Sequence, residues 1–437
     1  MISAKLLALP VSVLLSLAPQ PRPLSRIADD VDKLATERRA RQETIVPCGK
    51  PLQPVVNAAK AGDTILLQPQ CRYVGRLTLG AKSGVVRLTT LRLPDRRIGP
   101  SDATLLPILA SGGAQEVIDG VNAANWLLDG IQLEARTDGL GDVVILQDAV
   151  NVTLSRVLIV GGANGQKRGI RGNGKAITLR RSYIANMWRT GQDSQAFCAW
   201  DGAGPYVIED NYLEAASENI MFGGADSKSA DRIPADILIE GNLLNKNLAW
   251  KGVANKYAVK NLLELKSANR VLIRNNTLTN NWTDAQTGWA LSFKSVNQNG
   301  HAPWSATEDV TVENNVVTDV EQGITIQGVT NEKNADGTTQ RGGHTTRITI
   351  RNNQITTQRA AMQLTGGPGV ITVDGNAFHQ GGNLVTLDGP KIESFTFTNN
   401  QYRDVPYGIK GGGAAPGVPS LVAFCAAYTY SGNTIIK

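Results

Sequence analysis

The 437-residue sequence predicts an all-β protein, a single-domain parallel β-solenoid. Three observations predict it. First, a short strand ending in a polar residue and a two-residue turn recurs, as in VLIRNNTL (271–278), VTVENNVV (310–317), ITIRNNQI (348–355) and ITVDGNAF (371–378). Second, a further strand follows each turn, as in LLELKS (262–267), WALSFKS (289–295) and GITIQG (323–328), with no helix-length amphipathic segment between them. Third, Gly numbers 45 and aromatic residues make up only 5%, which suits short strands and tight turns better than long helices.

From the N-terminus onward each element has a reason. Residues 1–22 carry one early cation, Lys5, and then an apolar run from Leu6 to Leu17. The run is short for a membrane span and reads as a secretory signal, so the protein is expected to be exported, to the periplasm or beyond the cell. No later segment is apolar enough to span a bilayer. Residues 23–44 are charged and helix-competent, a cap extension or an arm. From residue 45 onward the repeats occupy the chain to 437. Cys48 and Cys71 flank one short unit and are expected to pair. Cys198 and Cys425 stand alone and are expected to be buried as small hydrophobes.

The turn has a physical logic. Its first residue is Asp210, Gly241, Asn275, Asn314, Asn352, Gly375, Asn399 or Gly432, the types that tolerate positive φ. Its second is always Asn: Asn211, Asn242, Asn276, Asn315, Asn353, Asn376, Asn400 and Asn433. Stacked amides can hydrogen-bond from one repeat to the next and satisfy groups that a sharp turn would strand.

The Asn turns, together with the opening unit CGKPLQPVVNAAKAGDTILLQPQCRYVG (48–75), resemble those of secreted right-handed parallel β-helix proteins, the pectate-lyase-like group, over about residues 45–437. The resemblance implies a right-handed parallel β-helix whose N-terminal end is capped by an amphipathic helix with Leu52, Val55, Val56 and Ala59 on one face. It implies a carbohydrate-active protein with polysaccharide as its partner. The polygalacturonase-like motif set is absent as such. An Arg-x-Pro-x-x-Arg pattern occurs at Arg92–Arg97, but in the early turns and without the aspartate strands that should precede it.

Alternation within LLELKS turns Leu263 and Leu265 inward and Glu264 and Lys266 outward. Stacking then predicts an outer polar column of Asp201, Glu264, Lys266, Ser292, Lys294, Thr325 and Gln327. Long insertions fall in the same repeats, within 223–347, and should wall a groove over the column. Trp250, Trp282 and Trp304 lie in these insertions and Trp289 begins a strand, placed either to stack sugar rings or to anchor loops.

Three chemistries fit these residue types. β-Elimination on an acidic polysaccharide needs a base, for which Lys266, Lys294 or His301 would serve. It also needs carboxylate neutralisation, by cations or by Ca²⁺ held on Glu264, Asp201, Glu218 or Asp226. Glycoside hydrolysis needs two carboxylates, with Asp201 and Glu264 in the column and Asp284 on a loop. A carbohydrate-binding or adhesive protein would need neither. Elimination is the leading expectation, from a monomer. The net charge of +6 suits an acidic polymer, and no phosphate loop or nucleic-acid module is present.

Overall fold

The computed structural model describes residues 42–436. The signal-like run and the arm to residue 41 lie outside them, while Glu43 and Thr44 at the arm's end belong to the first strand, Glu43–Val46. The chain coils into a right-handed parallel β-helix in which every strand ladder is parallel.

Each full turn carries three strands, not the two legible in the sequence. Sheet I holds the strands before the Asn turns, such as Ala268–Arg274, Thr307–Glu313 and Thr346–Arg351. Sheet II follows each turn at once, as Thr277–Asn281, Val316–Val320 and Gln354–Thr357. Sheet III holds Glu218–Phe222, Leu263–Leu265, Trp289–Lys294 and Gln322–Gln327. Sheet II is masked in the sequence because only the two turn residues separate it from sheet I. The bend comes from the first of those two, which lies in the left-handed region at Asp210 (φ 49°), Asn275 (φ 56°), Asn314 (φ 56°) and Asn352 (φ 55°). Two-residue linkage also explains the close pair in KNLLELKSANRVLIRNN: Leu263–Leu265 ends a sheet III strand, and Ala268 opens the next sheet I strand.

The second turn residue forms the expected ladder. Asn211, Asn242, Asn276, Asn315, Asn353, Asn376 and Asn400 each donate from Nδ2 to the next Asn Oδ1, at 2.9–3.2 Å. The same Oδ1 accepts the backbone N–H of the preceding Asn, as at Asn276 (2.9 Å from Asn242). The ladder extends back one turn, where Ser182 N–H donates to Asn211 Oδ1.

Inward residues of the three sheets form one continuous core from Val46 to Cys425, including Leu263, Leu265, Ile273, Leu291, Val312 and Ile324. Each fully buried Leu, Ile or Val contributes roughly 1.5–3 kcal/mol. The N-terminal end is closed by a helix at Gln53–Ala58, with Leu52 and Val56 buried and Val55 and Ala59 packed beside them. This covers strand ends that would otherwise offer an open edge. Cys48 and Cys71 form a disulfide across this cap, and Cys198 and Cys425 are buried free thiols. Cys71→Ser is expected to lower stability by about 3 kcal/mol, the entropy of a loop of this size, measured by guanidinium unfolding with and without reductant. An equal response of both proteins to reductant would refute that role.

The Arg92–Arg97 stretch is structural. Arg96 pairs with Asp102, Arg97 donates to the Asn211 carbonyl, and Pro94 accepts from Arg156, which ties this loop across the Asn turns.

Candidate functional site

Sheet III carries the outward charged residues. Its register places Glu264 opposite Met221 on the preceding turn and Ser292 on the following one. Ser292 then faces Thr325, and Lys294 faces Gln327. The expected column therefore stands over these turns. It changes before them: Met221 is opposite Cys198, so Cys198 and not Asp201 continues the column. Asp201 lies three residues further on, where Arg232 and Lys228 pair it and share Asp148. Burial would push the Asp201 carboxyl up, but Arg232 and the Lys228 N–H hold it below its ordinary value. Asp201 is committed to this ion cluster and is not one of a carboxylate pair with Glu264.

The insertions flank sheet III on two sides instead of one. Loops 223–234, 295–306 and 328–345 leave its far end toward sheet I. Loops 246–262 and 282–288 enter it from sheet II. On the first side, Asp226 accepts the N–H groups of Asn299 (3.0 Å) and His301 (2.9 Å), Trp304 Nε1 donates to Ser227 (2.9 Å), and Asn297 N–H donates to Gln340. On the second, Trp250 and Trp282 pack with Trp188, Ala216 and Val259, and Tyr257 stacks on Trp250. Trp250, Trp282 and Trp289 are buried and offer no open face to a sugar; the first two anchor loops, while Trp289 opens a sheet III strand. Trp304 is half-buried in the first wall. His301 is exposed, remote in role from Glu264, and held through its backbone. Asp284 is exposed on its loop and accepts Val259 N–H through Oδ2 at 2.8 Å.

Between the walls lies a strip of buried charge. Glu264 is 0% exposed and pairs with Lys294 at 3.0 Å and Lys266 at 3.6 Å. Ser292 Oγ donates to it at 3.5 Å. The stem of Lys266 packs on Gly223 (φ 94°), where a Cβ would come within 2.8 Å of Lys266 Cβ, so a side chain there would displace the lysine. On the preceding turn Glu218, also fully buried, accepts from Gln195 Nε2 at 2.8 Å. Lys260 stands 3.9 Å from Glu218 and 2.6 Å from Asp193. Further back, Asp142 pairs with Arg168 (2.8 Å) and Arg171 (3.0 Å), and both guanidinium groups lie over Trp200.

Burial of carboxylates at this depth is costly unless every oxygen is paired. Among the described residues, the buried carboxylate oxygens left without a hydrogen bond are Glu218 Oε1 and Glu264 Oε2. The electrostatics separate the two. Burial pushes the Glu218 carboxyl up, and the Glu264 charge adds to that rise. Burial also works against Glu264, but Lys266 and Lys294 overcome it and draw this carboxyl down to about 2. Lys266 in turn loses to burial but gains more from Glu264 and Glu218, so its ammonium is held more tightly than usual. Two carboxyls on adjacent turns are thereby set to hold and to release a proton in the same pH range.

Glu218 and Asp226 do not form a cation site. Ca²⁺ takes about six to eight oxygens, whereas Glu218 faces a Gln195 amide and a lysine, and both Asp226 oxygens accept backbone N–H groups. Among the described residues no cluster of three or more His, Cys, Asp or Glu is placed to hold a metal.

Sequence reasoning missed Gln195, Lys260, Arg168, Arg171 and Trp200. They sit in degenerate early repeats or in loops, where no turn signal fixes which way a side chain faces. Lys246, buried behind Glu218, was also missed; a lysine after a sheet II strand reads as a surface residue.

No protein-family model and no curated protein matches this chain. Among solved structures, a mutant tailspike protein of E. coli bacteriophage HK620 superposes with a TM-score of 0.54 at 12% identity, covering 93% of this chain and 67% of that one. A second mutant of the same tailspike, in complex with a pentasaccharide, gives 0.53 at 11% identity, covering 94% of this chain and 68% of that one. At this identity the likeness bears on the fold alone, and it agrees with the stacked parallel sheets described above.

Proposed function

We propose that this chain is an exported carbohydrate-active protein that takes a polysaccharide across sheet III and hydrolyses a glycosidic bond there. The observation that carries the reading is the pair of buried carboxyls, Glu218 and Glu264, each with one oxygen lacking a hydrogen bond and with proton affinities pushed apart. Glu218 is the proton donor to the leaving oxygen. Glu264 is the carboxylate that attacks the anomeric carbon or takes a proton from water. Lys266 and Lys294 now cover Glu264 and must swing aside to admit a sugar, a movement that an anionic substituent on the polymer would favour. The pentasaccharide seated on a tailspike of the same fold supports a saccharide ligand by analogy. The Cys48–Cys71 disulfide supports export. Among the described residues no helix is long and apolar enough to cross a membrane.

β-Elimination on an acidic polysaccharide is the second reading. The cations Arg168, Arg171, Lys260, Lys266 and Lys294 favour it as neutralisers of a uronate. Its difficulty is the base, because the Lys266 ammonium holds its proton more firmly than a free lysine. No step runs through calcium.

The test is incubation with a panel of neutral and acidic polysaccharides, read by reducing ends and by ultraviolet absorbance of unsaturated uronates, with and without EDTA. Hydrolysis predicts reducing ends without absorbance. It also predicts activity that falls as pH rises through the raised Glu218 pKa and persists in acid until Glu264 is protonated near 2. Absorbance rising with the reducing ends would replace hydrolysis by elimination. Silence in both assays, with retained binding, would leave a lectin-like protein.

A further inference from the structure

We propose that Lys246 is a tethered cation whose ammonium fills a five-oxygen cage at the corner between sheets II and III, and that the filled cage positions Glu218. The positioning half of this statement rests on the functional reading above; the cage does not.

The ammonium accounts for the geometry. Lys246 follows the sheet II strand Leu243–Asn245 and is fully buried. Its Nζ donates to the carbonyls of Ala215 (2.8 Å), Ala216 (3.0 Å), Ser217 (2.7 Å) and Asn261 (2.8 Å) and to Asn219 Oδ1 (2.8 Å). Three successive carbonyls, 215 to 217, therefore converge on one point. Carbonyl dipoles aimed together repel one another unless a cation sits between them, as in ion-selective carbonyl rings. A neutral amine offers two donors to five oxygens, whereas an ammonium offers three and a full charge. Burial pushes this ammonium down to about 7, and the Glu218 and Glu214 carboxylates oppose that shift, with Lys260 adding to it. The five oxygens around Nζ favour the charged form over the neutral amine.

The cage is also a mechanical joint. It clamps residues 215–219 on one turn to Asn261 on the next, and Glu218 lies between two of its ligands. Asn219 is fixed further, donating to the carbonyls of Leu213 and Asn245, both at 2.7 Å. Adjacent turns do not repeat the device: Ala215 precedes Lys246 in the stack and Asn280 follows it, by the register of Glu214, Asn245 and Thr279. A buried cation thus occurs at the one corner that presents Glu218.

Lys246→Met keeps the volume and removes the charge, and Lys246→Ala opens the cage. Both are expected to lower the melting temperature by roughly 10 °C, since several carbonyls lose their donor. Methylammonium in excess should restore Lys246→Ala, and tetramethylammonium, which has no N–H, should not. The carboxylic C=O stretch of Glu218, identified by its loss in Glu218→Gln, should persist to a pH at least about one unit higher in Lys246→Met, because a nearby positive charge is gone. If Lys246→Met does not fold, Lys246→Gln, which is neutral but still donates from its amide, provides the same comparison. Rescue by both ions, or by neither, would overturn the cage. An unshifted Glu218 band in a folded variant would overturn the positioning role. Absence of any cleavage by the unaltered protein would sink the functional reading and leave the cage standing.

Discussion

Glu264→Gln should abolish turnover while leaving binding of the polymer in place. The substitution preserves shape and removes the charge that Lys266 and Lys294 hold on this side chain. A carboxylate that must attack or accept a proton cannot be replaced by an amide. The expected loss in kcat is on the order of 10³-fold or more. KM should change little by comparison, because the lysines released from Glu264 are free to meet an anionic substrate. Breaking a buried pair also costs stability, about 3 kcal/mol or more, so the melting temperature must be measured beside the rate. Lys294→Met provides the contrast: it leaves Glu264 ionised through Lys266 alone, raises the pH at which activity is lost in acid, and weakens binding of acidic polymers more than neutral ones. A folded Glu264→Gln protein that retains turnover within threefold would move the chemistry off sheet III.

The second large effect is on stability. Asn276→Leu sits in mid-ladder, where the amide donates to Asn315 Oδ1 and to the carbonyls of Ile239 and Arg274, and accepts from Asn242 through both N–H and Nδ2. Leu has similar volume but none of these groups. Each buried group left unpaired costs about 1–3 kcal/mol, and at least two lose their partner, so the expected destabilisation is about 4 kcal/mol. Asn433→Leu, at the end of the ladder and half-buried, loses partners on one side only and should cost less than half as much. Guanidinium unfolding of both variants checks the pair. Equal effects would mean that the ladder is a row of independent turns.

The fold was legible in the sequence because the turn is chemically narrow. Only Gly, Asn and Asp sit readily at positive φ, and only a stacked amide satisfies two neighbours at once, so an Asn repeated in that place marks both the bend and the stack. The register of Glu264 with Ser292 and of Lys294 with Gln327 followed from alternation within strands. Sheet II was not legible, since a two-residue turn leaves no compositional gap. The position of Asp201 failed because the strand Gln195–Ala199 ends before it, and period-two counting does not carry past a strand end. The burial of Trp250 and Trp282 depends on Trp188, brought in from an earlier turn, and on Tyr257, folded back onto Trp250 within the 246–262 loop. From sequence Glu218 reads as a candidate metal ligand, because its partner Gln195 lies 23 residues away on the preceding turn.

The Asn ladder has one further implication. Its members are separated by 31, 34, 39, 38, 23, 24 and 33 residues, yet each amide meets the next at the same distance within 0.3 Å. Chain length between rungs is thus uncoupled from axial rise. A peptide grafted into the loops beside sheet III would be displayed at a height fixed by the spine, whatever its length. The molecule behaves as a ruler with interchangeable fittings, and new specificities can be acquired one rung at a time without re-solving the core.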